Sequence, residues 1–538
     1  MVFKYDSSIS NCTIVFLRKT IDMSFNYGED HLTAGKALAI LSGKLKTNIT
    51  TSVKQKINAS HKAVTDIANG HKAIYGINTG FGPLCNTIIS KQNTSKLQNN
   101  ILLSHAVGVG DPVPSEIAKL MLILKMHALC QGYSGVSMTI INRIAWHISN
   151  DIIPIVPSHG SLGASGDLAP LSHRFLPLVG EGEVIYKGKK YHGKSILLKL
   201  KKKPIKLPPK SGLALINGTQ FIAAHAIYVL HTMHNCLSHA DIIGAMMIEG
   251  MEGSAAPFSK KFHQLRPYRG NRHVAERISS FLKDSAILES HKDCDKVQDP
   301  YSLRCMPQVH GASRTAWAHL KECVEIEINA VTDNPIIFSK RQTVSGGHFH
   351  GQPLAIPIDY ACIAAAELGN ISDRRTYLSL EGKHGLTPIL LVEKTGLNSG
   401  FMILQYTTAA LVSENKGLCF PASADSIPSS LGQEDHVSMG SIGSRKALKV
   451  CQNLEKILAI ELICAAQALD FRRPKKSSKT LEAIHKQIRK YIKHTEEDRP
   501  FKKDIDAAIE LVRQGKLVAL AKKHQSRKYT FESEFELY

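Results

Sequence analysis

The stretch GSLGASGDLAPLSH, residues 160–173, puts Ala164, Ser165 and Gly166 side by side, with Asp167 behind them and Pro170 soon after. Small side chains let a backbone approach itself or a ligand closely, and glycine adds angles closed to other residues, so main-chain atoms can meet here. Alone, Ala-Ser-Gly is an ordinary turn sequence. It does not stand alone. YGINTGFGPL (75–84) is a second glycine-rich loop, carrying Tyr75, and polar or glycine-rich segments recur at LSHAVGVGD (103–111), LINGTQ (215–220), VQDPYSLRCMPQVHG (297–311), SGGHFHG (345–351) and GQEDHVSMGS (432–441). Histidines gather at His231, His234 and His239 and again at His348 and His350, but no cysteine or acidic partner completes a ligand set, so no metal centre is expected. Eleven cysteines without a CxxC pair read as reduced thiols rather than a disulfide framework.

These loops need elements to hold them. From Leu213 onward, FIAAHAIYVLHTMHNCLSHADIIGAMMIEGM, SRTAWAHLKECVEIEINAV, IDYACIAAAELGNISDRRTYLSL and SRKALKVCQNLEKILAIELICAAQALDF carry apolar residues at three- and four-residue spacing. Helices apolar over so much of their circumference require neighbours on several sides, in a long bundle that also buries surface in a homo-oligomer. The first 210 residues are more irregular, with short helices (IAKLMLILKMHALCQ, MTIINRIAWHIS) between loops and one hairpin pattern, EGEVIYKGKKYHGKSIL. The expectation is a mainly α fold: a possible extension over 1–22, a loop-rich N-terminal part holding the chemistry over 23–225, and a helical bundle with C-terminal helices over 226–538.

The chain has 538 residues and a formal net charge of +21, concentrated in 187–210 and 472–494. Neither stretch interleaves aromatics for base stacking, so a solvated basic face is favoured over nucleic-acid binding. No run of about 18 apolar residues predicts a membrane span, and the N-terminus lacks a secretory pattern, so a cytoplasmic protein is expected.

At these loops, in this order, the chain resembles the aromatic amino acid ammonia-lyases, from about Leu32 to about Leu517. The resemblance implies an aspartase/fumarase-like helical fold and a homotetramer whose active sites draw on several subunits. It also implies a prosthetic group made from the chain itself. The Gly166 nitrogen attacks the Ala164 carbonyl, and loss of water leaves 4-methylidene-imidazol-5-one (MIO), whose alkene comes from Ser165; no external cofactor is needed. The residue types fit, since Gly166 permits the approach, Ala164 adds no bulk and Ser165 carries a β leaving group. Asp167 is placed to move protons during cyclisation.

By the same resemblance Tyr75 is the mobile-loop base that takes the substrate's β-proton, a role requiring a phenol pKa lowered from about 10. Arg304 clamps the substrate carboxylate with its planar fork. Tyr301 and Gln298 surround the amine and the prosthetic group, Asn217 hydrogen-bonds that group, and Phe349 packs beside its loop. Ser104-His105 and Glu434 match the histidine-specific branch, where a carboxylate accepts from an imidazole N–H. The implied reaction is deamination of L-histidine to trans-urocanate and ammonia, opening histidine degradation. His348 stands where the family usually carries asparagine, and Gly432 where the histidine branch commonly does. The rival readings are a phenylalanine or tyrosine lyase, an aminomutase of the same family, and an inactive basic scaffold.

Overall fold

Helices apolar on most faces find stability only against one another, and here they do so as a bundle whose longest members run side by side. The computed structural model describes residues 24–70, 72–524 and 533–538; the possible extension over 1–22 lies outside them. The helices that position the loops are α1 (Ser115–Cys130), α2 (Met138–Ser149), α3 (Leu168–Phe175), α4 (Gln220–Gly250), α5 (Met306–Glu327), α6 (Gln352–Leu380) and α7 (Gly440–Asp470). In α4 every residue from Cys236 to Gly250 is buried, as its continuous apolar sequence requires.

Contacts at both ends fix helix directions. Ile222, at the start of α4, packs on Gly351 and Gly440 at the starts of α6 and α7, while Gly250, at the end of α4, lies against Ala468 near the end of α7. The three helices therefore run parallel. Helix α5 runs the other way, with Met306 against Gly244 late in α4 and Glu327 accepting a hydrogen bond from Thr219 just before α4. A side chain on Gly244 would meet the Met306 sulfur at 2.4 Å, so glycine there sets how closely α4 and α5 approach. Buried ion pairs lock the same layers: Asp241 of α4 accepts from Arg277 and from Arg314 of α5, and Arg375 of α6 pairs with Glu461 of α7.

The hairpin pattern forms as expected: β2 (Glu183–Tyr186) pairs antiparallel with β3 (Lys189–His192), and β1 (Ile153–Pro154) adds on the other side of β2. Helix α6 begins earlier than its sequence pattern predicts, because Pro353 is tolerated in a first turn and Pro357 removes only one intrahelical bond. This helix is long and apolar enough to cross a membrane by composition, but it packs within the bundle against α4, α5 and α7. Residue 225 lies inside α4, so the two expected parts meet within one continuous helix and share one hydrophobic core running from Phe25 to Leu537.

The two basic stretches differ. Lysines from Lys187 to Lys206 all face solvent, whereas Lys210 is buried against Asp333. In the second stretch Arg472 pairs with Glu252, Arg473 with Glu482, and Arg489, His485 and His494 converge on Asp470. Much of that charge fastens the C-terminal helices to the bundle.

Candidate active site

The Ala164–Gly166 turn sits where four helices begin. It leads directly into α3, and the segments entering α4, α6 and α7 enclose it: Asp167 N donates to Gly218 O at 2.8 Å, Met439 N to Leu162 O at 2.9 Å, and the Phe349 carbonyl closes over Gly166. Helix N-termini carry partial positive charge, so their convergence favours anionic groups and developing negative charge at this turn. Gly166 has φ +76°, and a Cβ there would lie 2.3 Å from Gly218 O and 3.0 Å from Phe349 O; no other residue fits. Ser165, with φ +52°, is held in a left-handed conformation that costs a non-glycine residue roughly 1–3 kcal/mol and persists only where the surroundings impose it.

Below the turn lies a buried polar relay. Asn217 Nδ2 donates to Ser165 O at 2.7 Å, and the Asn217 main-chain oxygen accepts from Lys125 Nζ at 2.6 Å. Burial drives the Lys125 ammonium down to about 8, against the opposing pull of Asp333. Asp167 Oδ2 accepts from the N–H groups of Phe221 and Ile222 at 2.9 and 3.0 Å, satisfying orphan donors at the start of α4. Its Oδ1 is buried with no hydrogen-bond partner among the described residues, and burial pushes the carboxyl up to about 7. A carboxyl poised there can accept or give a proton near neutrality. Lys125 went unmarked in the sequence reading; a lone lysine in the apolar run LMLILKMHALC was its signal.

Above the turn, Glu434 Oε1 accepts from Ser165 Oγ, and Oε2 accepts from the Ser430 hydroxyl at 2.9 Å and more weakly from that of Ser429 at 3.3 Å. Its charge reaches both Tyr75 and His105. Burial depresses the His105 imidazole while the Ile101 carbonyl and Glu434 oppose that shift, and its Nδ1 meets Ser104 Oγ at 3.0 Å. The Tyr75 hydroxyl accepts from Gly82 N at 3.3 Å. Within one chain the lowered phenol expected of Tyr75 is not found. Burial raises it, Glu434 raises it further, and only the Gly82 N–H pulls it down. Gly432 takes φ +82° in an open turn, a conformation glycine adopts freely. His348 is exposed and acts on Glu327 rather than on the turn; both line a cavity of about 460 Å³ with Tyr133, Phe338 and His350.

One chain thus brings together Ala164, Ser165, Gly166, Tyr75, His105, Asn217, Phe349 and Glu434. It does not bring Gln298, Tyr301 and Arg304 to them. Those three sit beyond the far end of α4, where Asp299 accepts from Ser254 N at 2.6 Å and Lys296 binds the Met251 and Glu252 carbonyls. From there the 22 residues of α5 run back, about 33 Å at helical rise, before Glu327 reaches Thr219. Tyr301 is 71% exposed, with the Arg304 guanidinium 4.5 Å over its ring, while Arg304 Nε donates to Asp299 O at 2.9 Å. This loop faces outward, available to another molecule. Among the described residues no three or more His, Cys, Asp or Glu side chains converge as a metal-ligand set.

A family model for aromatic amino acid lyase matches residues 32–490. The histidine ammonia-lyase of Natranaerobius thermophilus is 44% identical over 477 residues, covering 88% of this chain and 94% of that one. That of Halalkalibacterium halodurans is 46% identical over 462 residues, covering 86% and 90%. Among solved structures, histidine ammonia-lyase from Trypanosoma cruzi superposes with a TM-score of 0.87 at 37% identity over 95% of this chain and 97% of that one. Tyrosine aminomutase from Streptomyces globisporus does so with 0.89 at 31% identity, over 95% and 100%. With the motifs lying on one helical scaffold and the match running through most of its length, the chain belongs to the aromatic amino acid lyase family.

Proposed function

We infer that the chain deaminates L-histidine to trans-urocanate and ammonia, the opening step of histidine degradation, using an MIO group made from Ala164, Ser165 and Gly166. The observation that carries the substrate choice is Glu434, a carboxylate directly above Ser165 whose charge also reaches His105 and Tyr75. Loss of the Ser165 hydroxyl on ring formation frees Glu434 Oε1, which accepts a hydrogen bond from an imidazole N–H and has no donor facing a phenyl ring, the kind of mismatch that discriminates strongly between substrates. The names of the curated relatives support the same choice.

The residues around the turn fit the prosthetic group. Gly166 leaves no room for a Cβ, Ser165 is held in a strained conformation, Asn217 holds the carbonyl that would become part of the ring, and Asp167 lies next in sequence with an unpartnered oxygen. Once formed, MIO supplies an electrophilic alkene carbon that no ordinary side chain offers. The chain's own groups do the rest. Lys125 fixes Asn217, and Asn217 fixes the main chain at Ser165. Helix N-termini favour the carboxylate of a bound amino acid. Tyr75 is the base for the β-proton; the cation needed to lower its phenol is Arg304 of another copy of the chain, whose guanidinium also grips that carboxylate. Tyr301 and Gln298 arrive on the same loop, so a homotetramer is the working form. The described cysteines are all unpaired, which fits a reducing, cytoplasmic setting.

The test is to add L-histidine, L-phenylalanine or L-tyrosine to the pure protein and follow product absorbance and released ammonia. Urocanate and ammonia from histidine alone is the expected result. A preference for phenylalanine or tyrosine, or a β-amino acid product without ammonia, overturns the reading.

A further inference from the structure

Two thiols meet where α6 packs against the helix Met402–Leu418. Cys362, inside α6, is buried, and Cys419, which caps the end of the other helix, is half-buried. Cys362 Sγ donates to Leu418 O at 3.8 Å, and Cys419 Sγ donates to Cys362 O at 3.6 Å, so each sulfur lies against the main chain that carries the other. The two sulfurs are also within reach of a thiol–thiol hydrogen bond. Cysteines can be bridged only where their main chains are close and their side chains converge, and these reciprocal contacts meet both conditions.

The surroundings distinguish the two. Lys446 of α7 donates from Nζ to Phe420 O, next to Cys419, and lies 4.0 Å from Asp359, whose Oδ2 accepts from Ser423 N at 2.7 Å. The hydrogen bond from Cys362 and the Lys446 ammonium hold the Cys419 thiol below its ordinary value, against burial and the Asp359 carboxylate. The same contact, together with burial, pushes the Cys362 thiol up. The thiolate is the reactive form of cysteine, so Cys419, which is also the more accessible, is the sulfur that reacts first.

We propose that Cys419 and Cys362 form a peroxide-sensitive pair, in which hydrogen peroxide oxidises Cys419 and Cys362 resolves it to a disulfide joining α6 to the helix Met402–Leu418. The Cys419 thiolate attacks one peroxide oxygen, the O–O bond breaks, and the released hydroxide takes up the proton that the thiol gave, leaving a sulfenic acid and one water. The Cys362 sulfur then attacks the Cys419 sulfur. The S–O bond breaks, and the oxygen departs with the Cys362 proton as a second water. Two thiols lose two electrons and two protons, and the peroxide is reduced to two waters. The bond pins the helix end from which the chain runs on to Ser429, Ser430 and Glu434, but it is independent of the lyase reading and uses none of the groups assigned to catalysis.

The test treats the full-length protein with hydrogen peroxide, caps free thiols by alkylation before and after unfolding, and maps the digest by mass spectrometry. The expected product is a linked peptide containing Cys362 and Cys419, lighter by two hydrogens than its two parts and separated again by dithiothreitol, while the buried Cys464 remains a thiol. The exposed Cys294 reports the peroxide dose and is expected to oxidise later than the pair. In Cys362→Ser, which cannot resolve the intermediate, Cys419 is expected to accumulate as a sulfenic acid captured by dimedone; the wild-type map does not depend on that variant folding. Oxidation of Cys294 before the pair, a disulfide joining Cys419 to the buried Cys451 of α7 instead of Cys362, or a folded Cys362→Ser chain without the dimedone adduct overturns the proposal.

Discussion

Replacing Gly166 by alanine tests the claim that this turn is shaped for ring closure. At φ +76° an alanine is strained by roughly 1–2 kcal/mol relative to glycine, which has no Cβ to clash. The added Cβ would also stand 2.3 Å from the Gly218 carbonyl oxygen, which is backbone and is itself tied to Asp167 N. Relieving that overlap requires the turn or the 217–219 segment to move, at a further cost of about 1–3 kcal/mol, as in other overpacked sites. The sum, about 2–5 kcal/mol, is local and leaves a bundle with a continuous core folded. It does displace the main chain at 166 from the position Asn217 and Gly218 impose, and a shift of about 1 Å in a reacting group costs on the order of 10²-fold in rate. Intact-mass spectrometry is the assay. Wild type should weigh less than its sequence by two waters, whereas Gly166→Ala should carry the full mass and show no lyase activity, with helical circular dichroism unchanged. If the variant matures to the same two-water deficit as quickly as wild type, the steric argument is wrong.

Ser165→Ala should likewise keep its full sequence mass, since no β leaving group remains; a deficit in that variant would remove the MIO assignment. Glu434→Gln combined with His105→Phe should lower kcat/KM for histidine by roughly 10²–10⁴-fold, measured by urocanate absorbance, because the imidazole N–H loses its charged acceptor. The amide oxygen can still accept from Ser165 Oγ, so the two-water deficit should persist. Asp167 has a folded-state pKa raised from 3.8 to about 7, so the unfolded chain loses this proton first as pH rises. Its contribution to stability is therefore lost between pH of about 4 and 7 and is flat above. Asp167→Asn, which keeps an acceptor for Phe221 and Ile222, should flatten the unfolding-temperature profile over that window, and an unchanged slope would refute the assignment. Co-expressed Ser165→Ala and Arg304→Met chains, each inactive alone, should recover about a quarter of wild-type activity through random pairing in a symmetric oligomer; no recovery would mean that the Arg304 loop does not complete a neighbour's site.

Much of this molecule is legible in its sequence because the signals are local. Continuous apolar periodicity over 220–250 and 440–470 can be buried only by long neighbours, and the alternation at 183–192 closes a hairpin without help from elsewhere. Glycine at 166 likewise announces a backbone conformation and a close approach whatever surrounds it. What the sequence could not decide is what approaches. That Gly218 O and Phe349 O close over Gly166, that Asp167 binds the start of α4, and that Lys125 reaches the Asn217 carbonyl are consequences of packing between segments far apart in the chain. Electrostatics belong to the same class: Tyr75 is raised rather than lowered in one chain because desolvation depends on what covers it, and the charge that acts on it is the carboxylate of Glu434 rather than a cation. The placement of Arg304 is the clearest case. Its loop reads as part of the same chemistry as Ser165, yet an antiparallel α5 of 22 residues carries it to the opposite end of the bundle, because helix length and direction, set by burial of apolar faces, fix where the ends fall.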